Sequence, residues 1–427
     1  MTTARHHVVL IPGFAGFDAL GQLEYYAGVT PFFGTRDDAV LHYFDNFPTA
    51  AVATRAARLQ AYLAKRIARG EIKSGDGITL VGHSTGGLDI RRLIYDLYRR
   101  STRLSVDGGT QVEPDAILHA IRRVMFLSVP QWGTNIADWV RSHGFWREVV
   151  VAKLRAGFGS SQIPVINGIG EGLAGAVAHY TDCGLFCAVQ DCLREADPHY
   201  GRPGFTRLAE AHEAASQLEL YLRHIASDFR AIDDLCAARP PGGDLSPAHF
   251  TPAERERELR AWLDLRIGVR SYGTVAPPPF PFEPGQTVPA WRRLANPWAD
   301  AEIVRSEGAT DVVYRVCYRA CAGGPFAPPE GVPWTLEPWE NDGIVNTASM
   351  SWPTGDNILL HADHMDIVGH YRTAAPIRGA TRSRAYDLLG SASRFDGAAF
   401  ERLWHDVFAW AITGKLAAAA EAAPALG

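Results

Sequence analysis

Ile78-Thr-Leu-Val-Gly-His-Ser-Thr-Gly-Gly87 is the stretch on which the reading of this chain turns. Its first four residues form an apolar run ended by glycine, and they read as a buried strand. Helical spacing follows from about Leu88 to Arg99. Between them, Gly82-His-Ser-Thr-Gly86 is a G-x-S-x-G pattern. The bare pattern carries little, because about one chain in six or seven of this length holds it by chance at ordinary glycine and serine frequencies. Its setting carries more. A glycine-flanked serine between strand and helix sits on a sharp turn that lifts its hydroxyl above a sheet. A phosphate-binding turn would instead read G-x-x-x-x-G-K-[ST] or G-x-G-x-x-G, and neither is present. Ser84 is therefore read as a nucleophile.

Working outward, Val8-Val-Leu-Ile11 is a second apolar run, stopped by the turn signal Pro12-Gly13. Residues 49–69 carry Val52, Ala56, Leu59, Leu63 and Ile67 at helical spacing, with Thr49 placed to cap the start and Gly70 the end. Val124-Met-Phe-Leu127 is a third strand. Apolar strands alternating with helices imply an α/β protein whose mostly parallel central sheet has helices on both faces.

From Gly133 to Leu265 the character changes, with no convincing strand. Gly157 to Ala178 is apolar and glycine-rich, fit for a mobile lid or a buried loop. Residues 206–235 read as one long amphipathic helix, and a capping box with proline opens another at Thr251-Pro-Ala-Glu254. The expected division is a core of residues 1–132 and 266–427 interrupted by a helical cap of residues 133–265. Strand pattern resumes at Ile267–Tyr272 and again around Gly343–Val345 and Ile358–Leu360; a closing helix spans about Phe400 to Thr413. Ala276 to Pro289 reads as an extended proline-rich loop.

The 427 residues are 47% apolar and 21% charged, with a net charge of −5. That balance gives no electrostatic reason to expect nucleic acid or an anionic membrane as partner. No apolar run approaches the roughly 20 residues that span a bilayer. The first residues run directly into a strand without the regions of a secretory signal, so a cytoplasmic location is expected over secretion. Neither cysteine cluster (Cys183, Cys187 and Cys192; Cys317 and Cys321) has paired C-x-x-C spacing, and reduced, mostly buried thiols are expected.

A serine hydroxyl needs a base, and the base needs an acid to hold its tautomer. His364 lies just beyond the strand Ile358–Leu360, where a base belongs at the carboxyl edge of a sheet. His361 should still belong to the strand, and His370 to a following helix. Asp342, in Glu340-Asn-Asp-Gly-Ile-Val345, precedes the histidine beside an apolar run and is preferred as the acid over Asp300 and Asp311. Two donors must face the oxyanion. The backbone N–H of Thr85 is one, and Phe14 in Ile11-Pro-Gly-Phe-Ala-Gly16 supplies the other.

These segments resemble the bacterial true lipases, triacylglycerol lipases of the α/β-hydrolase superfamily. The resemblance rests on Leu10–Asp18 with Tyr25-Tyr26, Gly82–Gly87, Leu127–Thr134, Glu340–Asn346 and Asp363–Asp366, about 100 residues of the expected core. It implies the α/β-hydrolase fold, the triad Ser84, Asp342 and His364, and an oxyanion hole from Phe14 and Thr85. It implies hydrolysis of carboxylic esters with apolar acyl chains, without a cofactor for the chemistry and with contact to a lipid interface through the cap. The same triad also serves an acyltransferase or a short-chain carboxylesterase. The family often carries structural calcium with a carboxylate two residues after the histidine, which is Asp366 here; an ordinary helix-start aspartate is the other reading. The chain departs from the family at Pro12 and Gln131, where histidines are usual, and in a cap with no matching motif.

Overall fold

The computed structural model describes residues 4–16, 19–20, 23–99, 104–105, 111–142, most of 220–237, 252–279, 282, 312–324, 326, 331–353, 355–372 and 387–415. Six strands form one sheet: β1 His6–Ile11, β2 Ala39–Tyr43, β3 Gly77–His83, β4 Ile121–Leu127, β5 Gly268–Val275 and β6 Asp356–His361. The spatial order is β6-β5-β4-β3-β1-β2, and every pairing is parallel. The larger described helices are α1 Val52–Ala68, α2 Thr85–Tyr98, α3 Pro114–Ala120, α4 Asn135–Ser142, α5 Ala231–Leu235, α6 Pro252–Leu265, α7 Val312–Ala322 and α8 Gly397–Thr413.

Alternation along the strands sorts the core into two layers. Val9, Ile11, Ile78, Leu80, Val124 and Phe126 face one side, where α1, α2, α3 and α6 cover them. Val8, Leu10, Val81, Met125 and Leu127 face the other, against Tyr25, Tyr26 and the α8 face of Phe400, Trp404, Val407 and Phe408. Helices thus cover both faces, as the apolar strand runs require. Together with the strand order and the turn from β3 into α2, this is the α/β-hydrolase fold. Among the described residues no helix is long and apolar enough to cross a membrane.

Several expectations meet corrections. The edge strand β2 is missed by the sequence reading, because it is five residues long and only partly buried, and it pairs with β1 alone. Thr49 does not cap α1; its hydroxyl donates to the Asp228 carbonyl at 2.5 Å. The cap comes instead from a distant carboxylate, with Val52 N–H donating to Asp234 Oδ2 at 2.8 Å. The helix expected to run unbroken to Leu235 is interrupted before α5, where Asp228 folds back to accept the N–H of Arg230 at 3.0 Å. Gly343–Val345 is a turn rather than a strand, because the carboxylate of Asp342 takes the N–H groups of Ile344 and Val345 that a ladder would need. His370 follows a 3-10 turn, Asp366–Val368, and lies on no helix. The segments 143–219 and 283–311 lie outside the described residues. With them go the Gly157–Ala178 segment, the first cysteine cluster and most of the proline-rich loop. Cys236, Cys317 and Cys321 are free thiols, two of them buried.

One buried ion pair ties α6 to the core. Arg91 Nε donates to Glu258 Oε1 at 2.7 Å and a terminal nitrogen to Oε2 at 2.9 Å, with both side chains 0% exposed. A second terminal nitrogen of Arg91 donates to the carbonyl of Gln131 at 2.8 Å. Gln131, which stands where the resembling family has histidine, is therefore part of this packing. Replacing Glu258 with Gln leaves a buried guanidinium short of its counter-charge. Urea denaturation of Glu258→Gln is expected to show a loss of about 3–5 kcal/mol; an unchanged midpoint would remove the pair from the stability of the core.

Candidate active site

Ser84 ends the central strand β3 and begins α2. Its backbone stands at φ 53, ψ −130, a region that costs an L-residue free energy. The neighbours enforce it. The N–H of Ser84 donates to the Leu127 carbonyl at 2.9 Å, which pins the turn to the end of β4. A Cβ on Gly82 would lie 2.6 Å from the nitrogen of Gly87, so only glycine lets strand and helix approach so closely. Gly13 has the same reason on the facing loop, where an added Cβ would lie 2.6 Å from the Cβ of Ser84. Thr85 is the first residue of α2, whose N–H groups and dipole make a positive end beside the serine.

His364 and Asp342 stand together at the carboxyl edge of the same sheet. The imidazole Nδ1 lies 2.7 Å from Asp342 Oδ2, and His364 N–H also donates to the Asp342 carbonyl at 3.0 Å. A carboxylate can only accept, so Nδ1 carries the proton and the other ring nitrogen is left with a free lone pair. Asp342 is fully saturated. Oδ1 accepts the N–H groups of Ile344 and Val345 at 3.0 and 2.7 Å, and Oδ2 accepts the Thr274 hydroxyl at 2.7 Å. Ser128 then donates to Thr274 Oγ1 at 2.7 Å, since the Thr274 proton is already spent. Neither Thr274 nor Ser128 was singled out from sequence. Their one signal is position, at the ends of β5 and β4, where this fold gathers its site.

The loop after β1 offers a selected set of donors. Gly13 N–H goes to Tyr25 Oη at 2.9 Å, Ala15 N–H to the Pro48 carbonyl at 2.7 Å, and Gly16 N–H to the Gly13 carbonyl at 3.1 Å. Among the described residues the Phe14 N–H has no acceptor, and neither has that of Thr85. Arg55, wholly buried, holds this loop. Its terminal nitrogens donate to the carbonyls of Pro12 at 2.8 Å, Gly13 at 3.1 Å, Phe47 at 2.7 Å and Pro48 at 3.1 Å. Asp89 and Asn46 complete the cluster, with Arg55 2.8 Å and Asn46 3.0 Å from the carboxylate. Burial raises the Asp89 carboxyl to about 6, against the pull of Arg55. Arg55 lies in the expected helix, but nothing in its spacing marks it as a clamp on carbonyls 43 and 42 residues earlier. From further along the chain, Tyr221 Oη donates to the Ala15 carbonyl at 2.7 Å and Phe229 packs edge-on against Phe14.

Of the rival histidines, His361 is the exposed last residue of β6. His370 is buried and donates from Nε2 to the Tyr25 carbonyl at 3.1 Å. The Asp366 carboxylate opens the 3-10 turn, accepting Asp363 N–H at 2.8 Å and the Ser393 hydroxyl at 2.6 Å. Asp363 in turn accepts Met365 N–H, Asp366 N–H and the Ser391 hydroxyl. Burial pushes the Asp363 carboxyl up to about 7 and raises that of Asp366 too. Among the described residues no three His, Cys, Asp or Glu side chains are placed to hold a metal ion. These carboxylates accept the N–H groups of the turn around His364 and the hydroxyls of Ser391 and Ser393.

Known proteins were then compared. No protein-family model matches the chain, and no curated protein matches it. Among solved structures, EstA from Clostridium botulinum is similar at 15% identity and a TM-score of 0.44, covering 86% of this chain and 83% of that one. The mature form of Bacillus licheniformis lipase BlEst2 is similar at 13% identity and a TM-score of 0.38, covering 86% and 87%. Lipase 1 from Pelosinus fermentans is similar at 16% identity and a TM-score of 0.37, covering 86% and 94%.

The strain at Ser84 has a thermodynamic signature. Glycine adopts φ 53 freely, so Ser84→Gly releases strain of about 1–3 kcal/mol and gives back roughly 0.5–1 kcal/mol in chain entropy. Urea denaturation is expected to show Ser84→Gly more stable than Ser84→Ala by about 1 kcal/mol. The reverse order would mean that the turn is not strained.

Proposed function

We propose that this chain is a serine hydrolase of carboxylic esters with apolar acyl chains, with Ser84 as nucleophile, His364 as base and Asp342 as acid. The observation that carries the reading is the 2.7 Å bond from His364 Nδ1 to a saturated Asp342, at the sheet edge that also ends in the strained Ser84. The N–H groups of Phe14 and Thr85 are the oxyanion donors, supported by the absence of any acceptor for either among the described residues.

His364 Nε2 takes the hydroxyl proton as Ser84 Oγ attacks the ester carbonyl. The carbonyl oxygen becomes an anion held by the two N–H groups, and Asp342 stabilises the imidazolium. Collapse breaks the ester C–O bond, and His364 returns the proton to the departing alcohol. Water then attacks the acyl-enzyme with His364 again as base, which releases the acid and restores the Ser84 hydroxyl. Burial holds the neighbouring His83 well below the usual imidazole range, so no second cation opposes the imidazolium. No calcium step enters this scheme. In the same reading residues 133–265 form the cap over the core, and the contacts of Tyr221 and Phe229 with the Phe14 loop support a place for the cap beside the acyl site.

A p-nitrophenyl ester series from acetate to palmitate, on the parent chain and Ser84→Ala, tests the assignment. Ser84→Ala is expected to lose ester turnover and fluorophosphonate labelling altogether; retained labelling would refute the nucleophile. Turnover rising toward the longer acyl chains, unaffected by a calcium chelator, is expected. A short-chain optimum would replace the apolar-chain reading with a plain carboxylesterase. Transfer of the acyl group to an added alcohol in preference to water would make the chain an acyltransferase.

A further inference from the structure

Tyr25 and His83 are buried beside the site, and the scheme above gives neither a part in the reaction. Three hydrogen bonds join them to it. Gly13 N lies 2.9 Å from Tyr25 Oη, Tyr25 Oη lies 2.6 Å from His83 Nδ1, and His83 Nε2 lies 2.9 Å from the His364 carbonyl oxygen. The direction of each bond is determined by the chemistry of its ends. A carbonyl only accepts, so His83 Nε2 carries the proton and donates it to His364. A neutral imidazole has one N–H, so Nδ1 must accept, and the Tyr25 hydroxyl donates to it. A backbone amide only donates, so Tyr25 Oη accepts from Gly13. Donors and acceptors match at every link, and no link can be reversed while His83 is neutral.

We propose that Tyr25 and His83 are positioning residues, which tie the oxyanion loop to the base through this one-way chain from Gly13 to His364. The proposal rests on the reading of Ser84, His364 and the oxyanion loop given above. Two consequences follow from the bonds. The Gly13 N–H is spent on Tyr25, so the following peptide, that of Phe14, presents the loop's available N–H. His364 is held by both of its backbone groups, its N–H on the Asp342 carbonyl and its C=O on His83. The His83 ring also lies 4.6 Å, centroid to centroid, from that of His364. Donor and base are thereby fixed to one another and, because His83 precedes Ser84, to the nucleophile as well. His370 supports the chain from outside by donating to the Tyr25 carbonyl. The fit at Tyr25 is close, since a Cβ on Gly13 would lie 2.7 Å from its hydroxyl.

Nitrogen-15 histidine spectra of the whole chain at neutral pH read the direction of the bonds without any substrate. The His83 signals, assigned by their loss in His83→Gln, are expected to show Nε2 protonated and Nδ1 bare; the opposite tautomer or a cation overturns the proposal. Kinetics with a p-nitrophenyl ester read the positioning. Tyr25→Phe is expected to lower kcat roughly 10- to 100-fold with KM within about twofold, the pattern of displaced groups rather than lost binding. His83→Gln, which keeps a donor in the place of Nε2, is expected to retain more of kcat than His83→Ala. A kcat for Tyr25→Phe equal to that of the parent, or equal losses in the two His83 variants, overturns the proposal. Should Tyr25→Phe not fold, the spectra and the His83 pair decide. Ester turnover surviving in Ser84→Ala would instead overturn the reading of the site, while the spectra still report the bond directions.

Discussion

A serine held at φ 53 between the central strand and its helix sets the terms for the structure around it. That conformation is unfavourable for any residue with a Cβ, and it persists because its surroundings over-determine it. The backbone of Ser84 is bonded to β4, its helix is packed against both the sheet and α1, and the facing loop approaches where no Cβ beyond its own can fit. The central position of β3 matters here. Neighbouring strands on both sides fix its end, and a turn at a sheet edge would lack half of that restraint.

The same carboxyl edge concentrates polar groups inside an apolar protein, and those of Asp342 and Arg55 are matched. Asp342 receives four donors, two from its own turn, one from Thr274 and one from His364. Arg55 gives its charge to Asp89 and its remaining donors to four carbonyls of two loops. Buried polar groups are costly when unmatched and stiff when matched. In the proposed reaction this stiffness would serve the geometry, because an oxyanion donor and a base act only when held within a fraction of an ångström of their working places.

The burial that builds this edge also sets its charges. His83 stays neutral beside His364, since desolvation disfavours its cation and the nearby imidazole adds to that. Asp363 and Asp366, one residue before and two residues after the same histidine, are pushed toward their neutral forms first by burial, with the charge of Asp387 adding at Asp363 and that of Asp363 adding at Asp366. Their hydroxyl partners Ser391 and Ser393 come from a segment just before α8, so the loop carrying His364 is laced to the helix that covers the second face of the sheet. His364 is thus mounted on the core by its neighbours as well as by Asp342.

The sequence by itself determined the strands that continue as apolar runs, the turn at Ser84, and the order Ser84, Asp342, His364. Those features are local: an apolar run needs burial wherever it lies, and a glycine-flanked serine after a strand has few conformations open to it. Tertiary structure alone decided which distant groups meet. Asp234 caps α1 from 182 residues away, and Asp342 turns Gly343–Val345 away from a strand by claiming its N–H groups. Arg55, Thr274, Tyr25 and His83 acquire their parts only when parallel pairing brings the ends of β1, β3, β5 and β6 to one edge. No spacing along the chain encodes those meetings, because each depends on the register of strands far apart in sequence. The turn at Ser84 was legible from ten residues; the shell that holds it was legible only once the sheet had closed around it.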